Sequence, residues 1–307
     1  MRSIENVQAT MNDERRIHPA TRLGAVELTV ADLDRELAFY REVLGFALAA
    51  RGNGVATLSS GGDGPGELLR LHEEPGARRA RGATGLYHFA LLVPTRLELA
   101  HLLRRIAETR TPIQGMVDHH THLAIYLADP EGNGIELAWD FPKESWPRLD
   151  DGGKEFLSLG NGPLEPEELF AEIERDPREW LGLARGSVIG HVHLHVSRLG
   201  PALRFYHDLV GFDTIFDSER SGFGFVSAGG YHHHIGVNVW QGVGAPAPPP
   251  RSLGLRSFTV VVPTGSELDR IASRIEAGGT PVERRADTMQ ARDPSQNLVT
   301  FEVAEIA

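Results

Sequence analysis

The sequence predicts an α+β protein built from four copies of one module, each a strand, a helix and three further strands (βαβββ). Residues 25–46 (AVELTVADLDRELAFYREVLGF) align without a gap to residues 191–212 (HVHLHVSRLGPALRFYHDLVGF), and nine of the 22 positions are identical. A second pair also repeats, since LYHFALLVPTRLELAHLLRRI from Leu86 matches LRSFTVVVPTGSELDRIASRI from Leu255. Repetition of this kind indicates a fold assembled from copies of one structural unit.

The elements of each module follow from its apolar pattern. The first segment has apolar residues at alternate positions, as in Val192, Leu194 and Val196, which is the period of a β-strand. Apolar residues at helical spacing follow, and a Gly-Phe pair ends the helix in both copies. Later, an Asp-Pro turn leads into a last strand in YLADPEGNGIELAW and in ARDPSQNLVTFEV. The four modules are predicted near 22–80, 85–140, 188–243 and 254–304.

By chain order, these modules group into a first domain at 22–140 and a second domain at 188–304. The connection 141–187 lies between them and contains a predicted short helix around 166–175. The proline-rich stretch APAPPP (245–250) indicates a stiff linker between modules 3 and 4. Residues 1–20 are predicted to be a polar, mobile tail, and they lack the apolar run of a secretory signal.

Composition excludes several classes of function. With 41% hydrophobic residues the chain can build a sizeable core, and its net charge of −11 argues against nucleic acid or anionic membranes as partners. The absence of cysteine removes disulfides, thiolate metal ligands and cysteine nucleophiles, and is compatible with the cytoplasm. The sequence has no run of about 18 apolar residues, so no membrane span is predicted. We therefore expect a cytoplasmic protein that binds neither nucleic acid nor membrane.

One strand carries an unusual set of side chains. The segment GHVHLHV, residues 190–196, places His191, His193 and His195 on the same strand face. Such a face is either a solvated polar surface or part of a site. The strand pattern alone leaves both interpretations open.

The segments FYREVLGF, FYHDLVGF and DPEGNGIE resemble the vicinal oxygen chelate superfamily, which includes glyoxalase I, fosfomycin-resistance proteins and extradiol dioxygenases. Together with GLYHFALLVP, IGHVHLHV and GGYHHHIGVNVW, they are similar to bacterial four-module catechol-2,3-dioxygenases. The resemblance implies two cup-shaped pseudo-barrels, the vicinal oxygen chelate or glyoxalase-like fold, each closed by two modules. It also implies a metal site whose ligands come from the first and last strands of modules.

The positions that match the family's ligands hold Ala25, His88, His191 and Ser257 on first strands and Glu136 and Thr300 on last strands. Modules 2 and 3 together supply two histidines and one carboxylate: His88, His191 and Glu136. This is the facial triad of non-haem Fe(II), and Mn(II) accepts the same ligands. We therefore infer that module 2 pairs with module 3, and module 1 with module 4. An alternative pairs modules 3 and 4 and combines Glu302 with His191 and His234.

The resemblance also points to residues that handle protons. Tyr126 lies ten residues before the carboxylate ligand, which is the spacing of a tyrosine in extradiol enzymes, and His119 matches a histidine somewhat before it. In the third module, the acid–base histidine of the family matches His232 or His234. We interpret His120 and His122, in the same loop as His119, as part of a solvated hairpin.

The function that the resemblance implies is Fe(II)-dependent extradiol cleavage of catechol or a substituted catechol, with O2 as the second substrate. The alternatives are a hydroquinone dioxygenase, a glyoxalase-like isomerase, and a metal-free protein of the same fold that binds a small aromatic compound. An isomerase generally has more carboxylates at the ligand positions, and this chain offers one. Family members often associate, so a homo-oligomer is expected by analogy only.

Overall fold

The computed structural model describes residues 15–62 and 66–304. Each module has the predicted order of elements. Module 1 consists of β1 (Arg22–Val30), α1 (Leu33–Glu42), β2 (Ala47–Gly52), β3 (Val55–Ser59) and β4 (Glu67–Glu73). Module 2 consists of β5 (Gly85–Leu92), α2 (Arg96–Thr109), β6 (Ile113–Asp118), β7 (His122–Ala128) and β8 (Gly134–Asp140). The connection contains a 3-10 turn (Lys143–Ser145), α3 (Lys154–Leu159), β9 (Gly162–Pro163) and α4 (Pro166–Arg175).

The second half of the chain repeats this plan. Module 3 consists of β10 (Val188–His195), α5 (Leu199–Arg204) with a π-helical turn (Phe205–Val210), β11 (Asp213–Ser218), β12 (Phe223–Ser227) and β13 (Ile235–Asn238). Module 4 consists of β14 (Gly254–Val262), α6 (Gly265–Ala277), β15 (Val282–Arg285), β16 (Thr288–Arg292) and β17 (Leu298–Val303). The gapless repeat seen in the sequence is therefore a repeat of structure.

The strands in the described part of the chain form one sheet of eight and one of nine strands. Modules 1 and 4 share the first, in the order β15-β16-β17-β14-β1-β4-β3-β2. Modules 2 and 3 share the second, in the order β11-β12-β13-β10-β5-β8-β7-β6-β9. At the centre of each sheet, the first strands of two modules pair antiparallel, and each pairs in parallel with the last strand of its own module.

The inferred pairing of module 2 with module 3, and of module 1 with module 4, is confirmed by these sheets. The chain-order domains 22–140 and 188–304 do not correspond to them, because hydrogen bonds between first strands give each sheet one module from each range. The alternative site built from modules 3 and 4 is wrong for the same reason. Its residues Glu302, on β17, and His191, on β10, lie in different sheets.

Modules that follow one another in the chain contact each other through a buried tyrosine. The hydroxyl of Tyr40, on α1, donates to Asp129 in the Asp-Pro turn of module 2, at 2.9 Å. The hydroxyl of Tyr206 donates to Asp293 in the same turn of module 4, at 3.0 Å. Both aspartates also accept hydrogen bonds from the backbone and the asparagine of their own turn. The repeated Asp-Pro turn therefore joins the two sheets, in addition to starting a strand.

Local sequence explains where the helices begin and end. The side chains of Asp32, Thr95 and Thr264 accept hydrogen bonds from the backbone N–H three residues later, which caps α1, α2 and α6. The Gly-Phe pairs follow the helices of modules 1 and 3, where Gly45 and Gly211 have φ of +74° and +105°. These left-handed conformations favour glycine and turn the chain back toward the next strand.

The remaining predictions concern the N-terminus and the connection. Residues 1–14 of the predicted mobile tail lie outside the described residues. Ile17 is buried, and its N–H donates to the carbonyl of Gly211 at 2.8 Å, so this part of the predicted tail packs against module 3. The short helix predicted in the connection is present as α4. In the described part of the chain, no helix is both long and apolar enough to cross a membrane.

Candidate metal centre

The three predicted metal ligands lie together on adjacent central strands of the nine-stranded sheet. His88 lies on β5, His191 on β10 and Glu136 on β8, and all three side chains are buried. The Nε2 atoms of the two histidines each lie 3.1 Å from Glu136 Oε2. The three ligand atoms lie within 4.8 Å of one another. We call these residues the triad.

A glycine lets the strands of module 2 come close enough to form the triad. Gly134 starts β8 and lies opposite His88 in the register with β5. A Cβ atom at this position would lie 2.0 Å from the carbonyl oxygen of Tyr87, a distance that no side chain tolerates. Gly134 is the second glycine of DPEGNGIE and lies two residues before Glu136. A glycine is required there because the backbone of β5 comes so close to it.

The donor set suits a divalent cation. His88 Nε2 is buried and makes no well-oriented hydrogen bond, although it lies 3.1 Å from Glu136 Oε2. A buried polar atom without a partner is costly, and a cation between the three residues would satisfy it. Two imidazoles and one carboxylate are ligands that Fe(II) and Mn(II) accept.

The electrostatics of the triad favour an ionised carboxylate at Glu136 and a neutral imidazole at His191. Burial alone would raise the pKa of Glu136, but His191, His122 and His88 around it hold its pKa well below the usual range. Burial in turn lowers the pKa of His191 below its ordinary value. An ionised carboxylate and neutral imidazoles are the protonation states in which these groups bind a metal.

His122 holds the second oxygen of the triad carboxylate. Its Nε2 lies 2.9 Å from Glu136 Oε1, and its Nδ1 lies 2.8 Å from the hydroxyl of Thr121. His122 is buried, so its interpretation as part of a solvated hairpin is wrong. The spacing from Tyr126 would have identified it, because residues four apart on one strand share a face.

The two predicted proton-handling residues of module 2 lie beside the triad and contact each other. His119 Nε2 is 2.8 Å from the hydroxyl of Tyr126, and His119 Nδ1 is 3.0 Å from Asn161 Oδ1. Burial, followed by the nearby His122, lowers the pKa of His119 to about 4. His119 is therefore neutral near pH 7 and has one ring nitrogen available to accept a proton.

A cavity of about 310 Å³ adjoins the triad, and His88, Glu136, His119 and Tyr126 all line it. Aromatic and aliphatic side chains make up much of the rest of its wall. Its volume is at the lower end of the range for small-molecule sites, and its lining combines polar groups with aromatic and aliphatic side chains. This arrangement suits a small ligand that carries polar atoms on one side.

Comparison with known proteins places the chain in a family. Residues 22–137 and 188–301 match the model of the Glyoxalase/Bleomycin resistance protein/Dioxygenase superfamily. The chain belongs to this superfamily. It is also 40% identical to a catechol-2,3-dioxygenase of Bacillus subtilis (strain 168) over 288 residues, which cover 93% of this chain and 98% of that protein.

Solved structures with the same fold confirm the predicted glyoxalase-like architecture. Glyoxalase I from Zea mays superposes with a TM-score of 0.57 at 15% identity, covering 92% of each chain. The cppA protein from Streptococcus pneumoniae TIGR4 superposes with a TM-score of 0.56 at 16% identity, covering 94% of this chain and 99% of that chain. At these identities the likeness concerns the fold alone.

In this member of the superfamily, the histidine run YHHH does not follow strand alternation, because it precedes β13. His233 lines the cavity, whereas His232 and His234 are not among the lining residues. His232 contacts Asp140 through Nε2 at 3.2 Å and His233 through Nδ1 at 2.8 Å. His234 Nδ1 lies 2.9 Å from the hydroxyl of Ser227. His233 was not predicted, because a strand running through YHHH would place it on the face opposite His232 and His234.

Two further groups of ligand-type side chains adjoin the triad: His191, His232 and His233, and His122, Asp140 and His232. The rings of His122 and His232 stack at 4.6 Å with 12° between their planes, so one ion cannot lie in the plane of both rings. The Nδ1 atoms of His232 and His233 are at a hydrogen-bonding distance of 2.8 Å, where one proton satisfies both. The triad therefore remains the best candidate for a metal in this superfamily member.

Proposed function

We propose that the protein is a metal-dependent extradiol dioxygenase that opens the ring of catechol or a substituted catechol in the cytoplasm, with Fe(II) as its metal and Mn(II) as the second candidate. The observation that carries this proposal is the buried triad of His88, His191 and Glu136 beside a small cavity. The 40% identity to a catechol-2,3-dioxygenase along nearly the whole chain supports it. We retain the homo-oligomer as a prediction.

The triad would hold the metal through two imidazole nitrogens and one carboxylate oxygen. With three protein ligands, the metal would remain open to a chelating diol and to O2. When bound, the iron supplies the redox chemistry by which the diol and O2 react. His122 holds the other oxygen of Glu136 at 2.9 Å and so orients the carboxylate as a ligand through one oxygen.

The pair of Tyr126 and His119 would receive the proton that a catechol hydroxyl loses on binding. The Tyr126 hydroxyl lies 2.8 Å from His119 Nε2, and both residues line the cavity. Because His119 is neutral near pH 7, its Nε2 accepts a proton that passes through the tyrosine hydroxyl. Asn161 orients the imidazole by its contact with Nδ1.

A second group of histidines would return a proton to the opening ring. His232 stays our prediction for this role. It does not line the cavity, so its proton would pass through the hydrogen bond to His233, which does. His234 also stays a prediction, and its Nδ1 is already bonded to Ser227. The lining position of His233 makes it the member of this group that contacts the ligand.

The overall reaction balances without an added reductant. One catechol and one O2 give one ring-opened product that carries both oxygen atoms, one in a carboxylate and one in an aldehyde. The two electron pairs come from the carbon–carbon bond that breaks and from the diol. O2 uptake should therefore equal the amount of catechol consumed.

The test is reconstitution of the full chain under argon with Fe(II), Mn(II) or Zn(II), followed by catechol and air. We expect a yellow product and stoichiometric O2 uptake with Fe(II) or Mn(II), and no turnover with redox-inert Zn(II). Metal binding without turnover of any catechol would overturn the proposal. Turnover of 1,4-hydroquinone in place of catechol, or of a glyoxalase substrate with Zn(II), would identify one of the alternative enzymes.

A further inference from the structure

We propose that the cavity selects neutral catechols with a short apolar ring substituent and rejects catechols with a ring carboxylate. The inference rests on the proposed function, because it names the substrate class of the same site. Its evidence is the chemistry of the two cavity walls, which lie beyond the triad and the pair of Tyr126 and His119.

One wall is a continuous series of aromatic rings from module 3. The ring of Phe225 stacks on His233, with centroids 4.3 Å apart and 23° between the planes. The ring of Phe223 lies 5.4 Å from Phe225 and 5.9 Å from Trp240, which is half exposed. The wall therefore runs from the interior to the rim of the cavity. All of these residues line it.

The other wall comes from module 2 and from the connection between modules 2 and 3. Val117 on β6 and the side chains of Phe156 and Leu157 on α3 line the cavity. Strands β6 and β12 lie near opposite ends of the nine-stranded sheet, so Val117 and the aromatic series belong to different sides of the same space. Helix α3 lies between them, because Gly153, just before it, packs against Phe216 of β11, and β9, just after it, pairs with β6. A ring substituent between them would meet carbon atoms on both sides, which favours an apolar group.

The charges of the lining residues disfavour an anionic substituent. All lining residues fall within the described part of the chain, and none of them is lysine or arginine. The carboxylate among them is Glu136, which would bind the metal and cannot pair with an anionic substituent. An anion placed between the apolar walls would lose hydration without gaining a cation, which is strongly unfavourable.

The size of the cavity limits the substituent. Its volume of about 310 Å³ is at the lower end of the range for small-molecule pockets. The cavity therefore fits one aromatic ring with a short chain, rather than an extended polycyclic substrate.

The test compares three ligands that share the diol: 4-methylcatechol, methyl 3,4-dihydroxybenzoate and 3,4-dihydroxybenzoate. Binding to the Fe(II)-loaded full chain is measured by calorimetry under argon, and kcat/KM is then measured in air. The methyl ester keeps the planar carbonyl substituent of the acid but is neutral. We expect the two neutral ligands to bind with similar affinity and the acid to bind at least about 100-fold more weakly.

A pair of variants on α3 tests the wall directly. Leu157 lines the cavity and Leu159 does not, and both side chains are about half exposed, so neither change should unfold the protein. Leu157→Lys should narrow the preference for the ester over the acid by about 10-fold or more, because it supplies the missing cation. Leu159→Lys, the matched control on the same helix, should leave the preference unchanged.

The outcomes separate this inference from the proposed function. If catechol is cleaved but the acid binds as tightly as the ester, the selectivity is refuted and the dioxygenase remains. Equal effects of Leu157→Lys and Leu159→Lys would also refute it, because the wall would then not contact the substituent. If the metal-loaded protein neither binds nor cleaves any of the three diols, the proposed function fails and the selectivity fails with it.

Discussion

The two sheets share one architecture and differ in what their corresponding positions carry. In the nine-stranded sheet, the ligand positions hold the triad of His88, His191 and Glu136. In the eight-stranded sheet, the matching positions hold Ser257, Ala25 and Thr300. Within residues 15–62 and 66–304, the close groups of metal-ligand side chains all lie in modules 2 and 3. The fold therefore provides two equivalent sheets, and a few side chains decide which of them carries a candidate metal site.

The contrast extends to the residues around the ligand positions. Tyr126 lies opposite Glu136 in the register of β7 and β8, and Gln290 lies opposite Thr300 in the register of β16 and β17. Gln290 Nε2 donates to the Thr300 hydroxyl at 3.1 Å, so this pair satisfies itself with a neutral hydrogen bond. A satisfied neutral pair offers nothing to an ion, whereas a cation at the triad would satisfy the buried His88 nitrogen that has no hydrogen-bond partner.

The largest expected effect comes from removing the carboxylate ligand. Glu136→Ala should abolish ring cleavage and weaken metal binding by more than about 100-fold. Even the loss of a residue that only hydrogen-bonds to a ligand lowers metal affinity by about 10- to 100-fold. The equivalent change in the other sheet, Thr300→Ala, should leave metal content and activity unchanged. Metal analysis after dialysis and the O2 uptake rate check both. Equal effects of the two changes would show that the triad is not the metal site.

The next largest effect concerns proton transfer. Tyr126→Phe should lower kcat by about 100-fold, since it removes the hydroxyl bonded to His119 Nε2. Metal content should stay at the wild-type level, because Tyr126 is not a ligand. Gln290→Ala, at the corresponding position of the eight-stranded sheet, should not change kcat. A wild-type kcat in Tyr126→Phe would exclude the tyrosine from proton transfer.

A smaller effect is expected for the residue that orients the carboxylate. His122→Phe should weaken metal binding by about 10- to 100-fold, because Glu136 Oε1 loses its partner at 2.9 Å. His122→Asn keeps a hydrogen-bond donor and should recover part of the affinity. Competition with a chelator, read by metal content alone, measures this without relying on activity. Unchanged affinity in His122→Phe would contradict a positioning role.

The smallest effect concerns stability, and it compares the first helices of modules 1 and 3. Glu36 on α1 matches Ala202 on α5, and neither buried carboxylate oxygen of Glu36 has a hydrogen-bond partner. Burial, followed by the charges of Asp129 and Glu131, raises the pKa of Glu36 to about 9. A carboxyl group whose pKa is raised in the folded protein makes its full contribution to the free energy of unfolding only below the pKa of the unfolded chain, near 4.5. That contribution is lost as the pH rises toward 9.

Glu36→Gln should therefore raise the free energy of unfolding at pH 8 by about 1–3 kcal/mol and flatten its dependence on pH between about 5 and 9. Urea denaturation of the metal-free protein at several pH values measures this. Glu42→Gln, an exposed change on the same helix, is the control. A variant that loses stability equally at every pH would show that Glu36 is ionised and paired in the folded protein.

The predictions from sequence were correct for features that a local pattern or a repeated motif determines, such as the strand on which a residue lies. Strand alternation placed His88 and His191 on their strands, and the Asp-Pro turn marked the start of β8, two residues before Glu136. They failed where tertiary packing decides burial. His122 lies in a segment that resembles an exposed hairpin, yet it is buried because the β7–β8 register carries it to the triad.

By itself, the sequence determined four βαβββ modules, because they follow from periodic patterns and repeated motifs. The superfamily and the candidate metal ligands of the triad followed from the resemblance of those motifs to a known family. Only the tertiary structure decided which histidine of YHHH reaches the cavity, and that the Asp-Pro turns join the two sheets through Tyr40 and Tyr206. It also decided that the cavity walls are apolar and without a cation. These features depend on contacts between residues far apart in the chain, which no local pattern records.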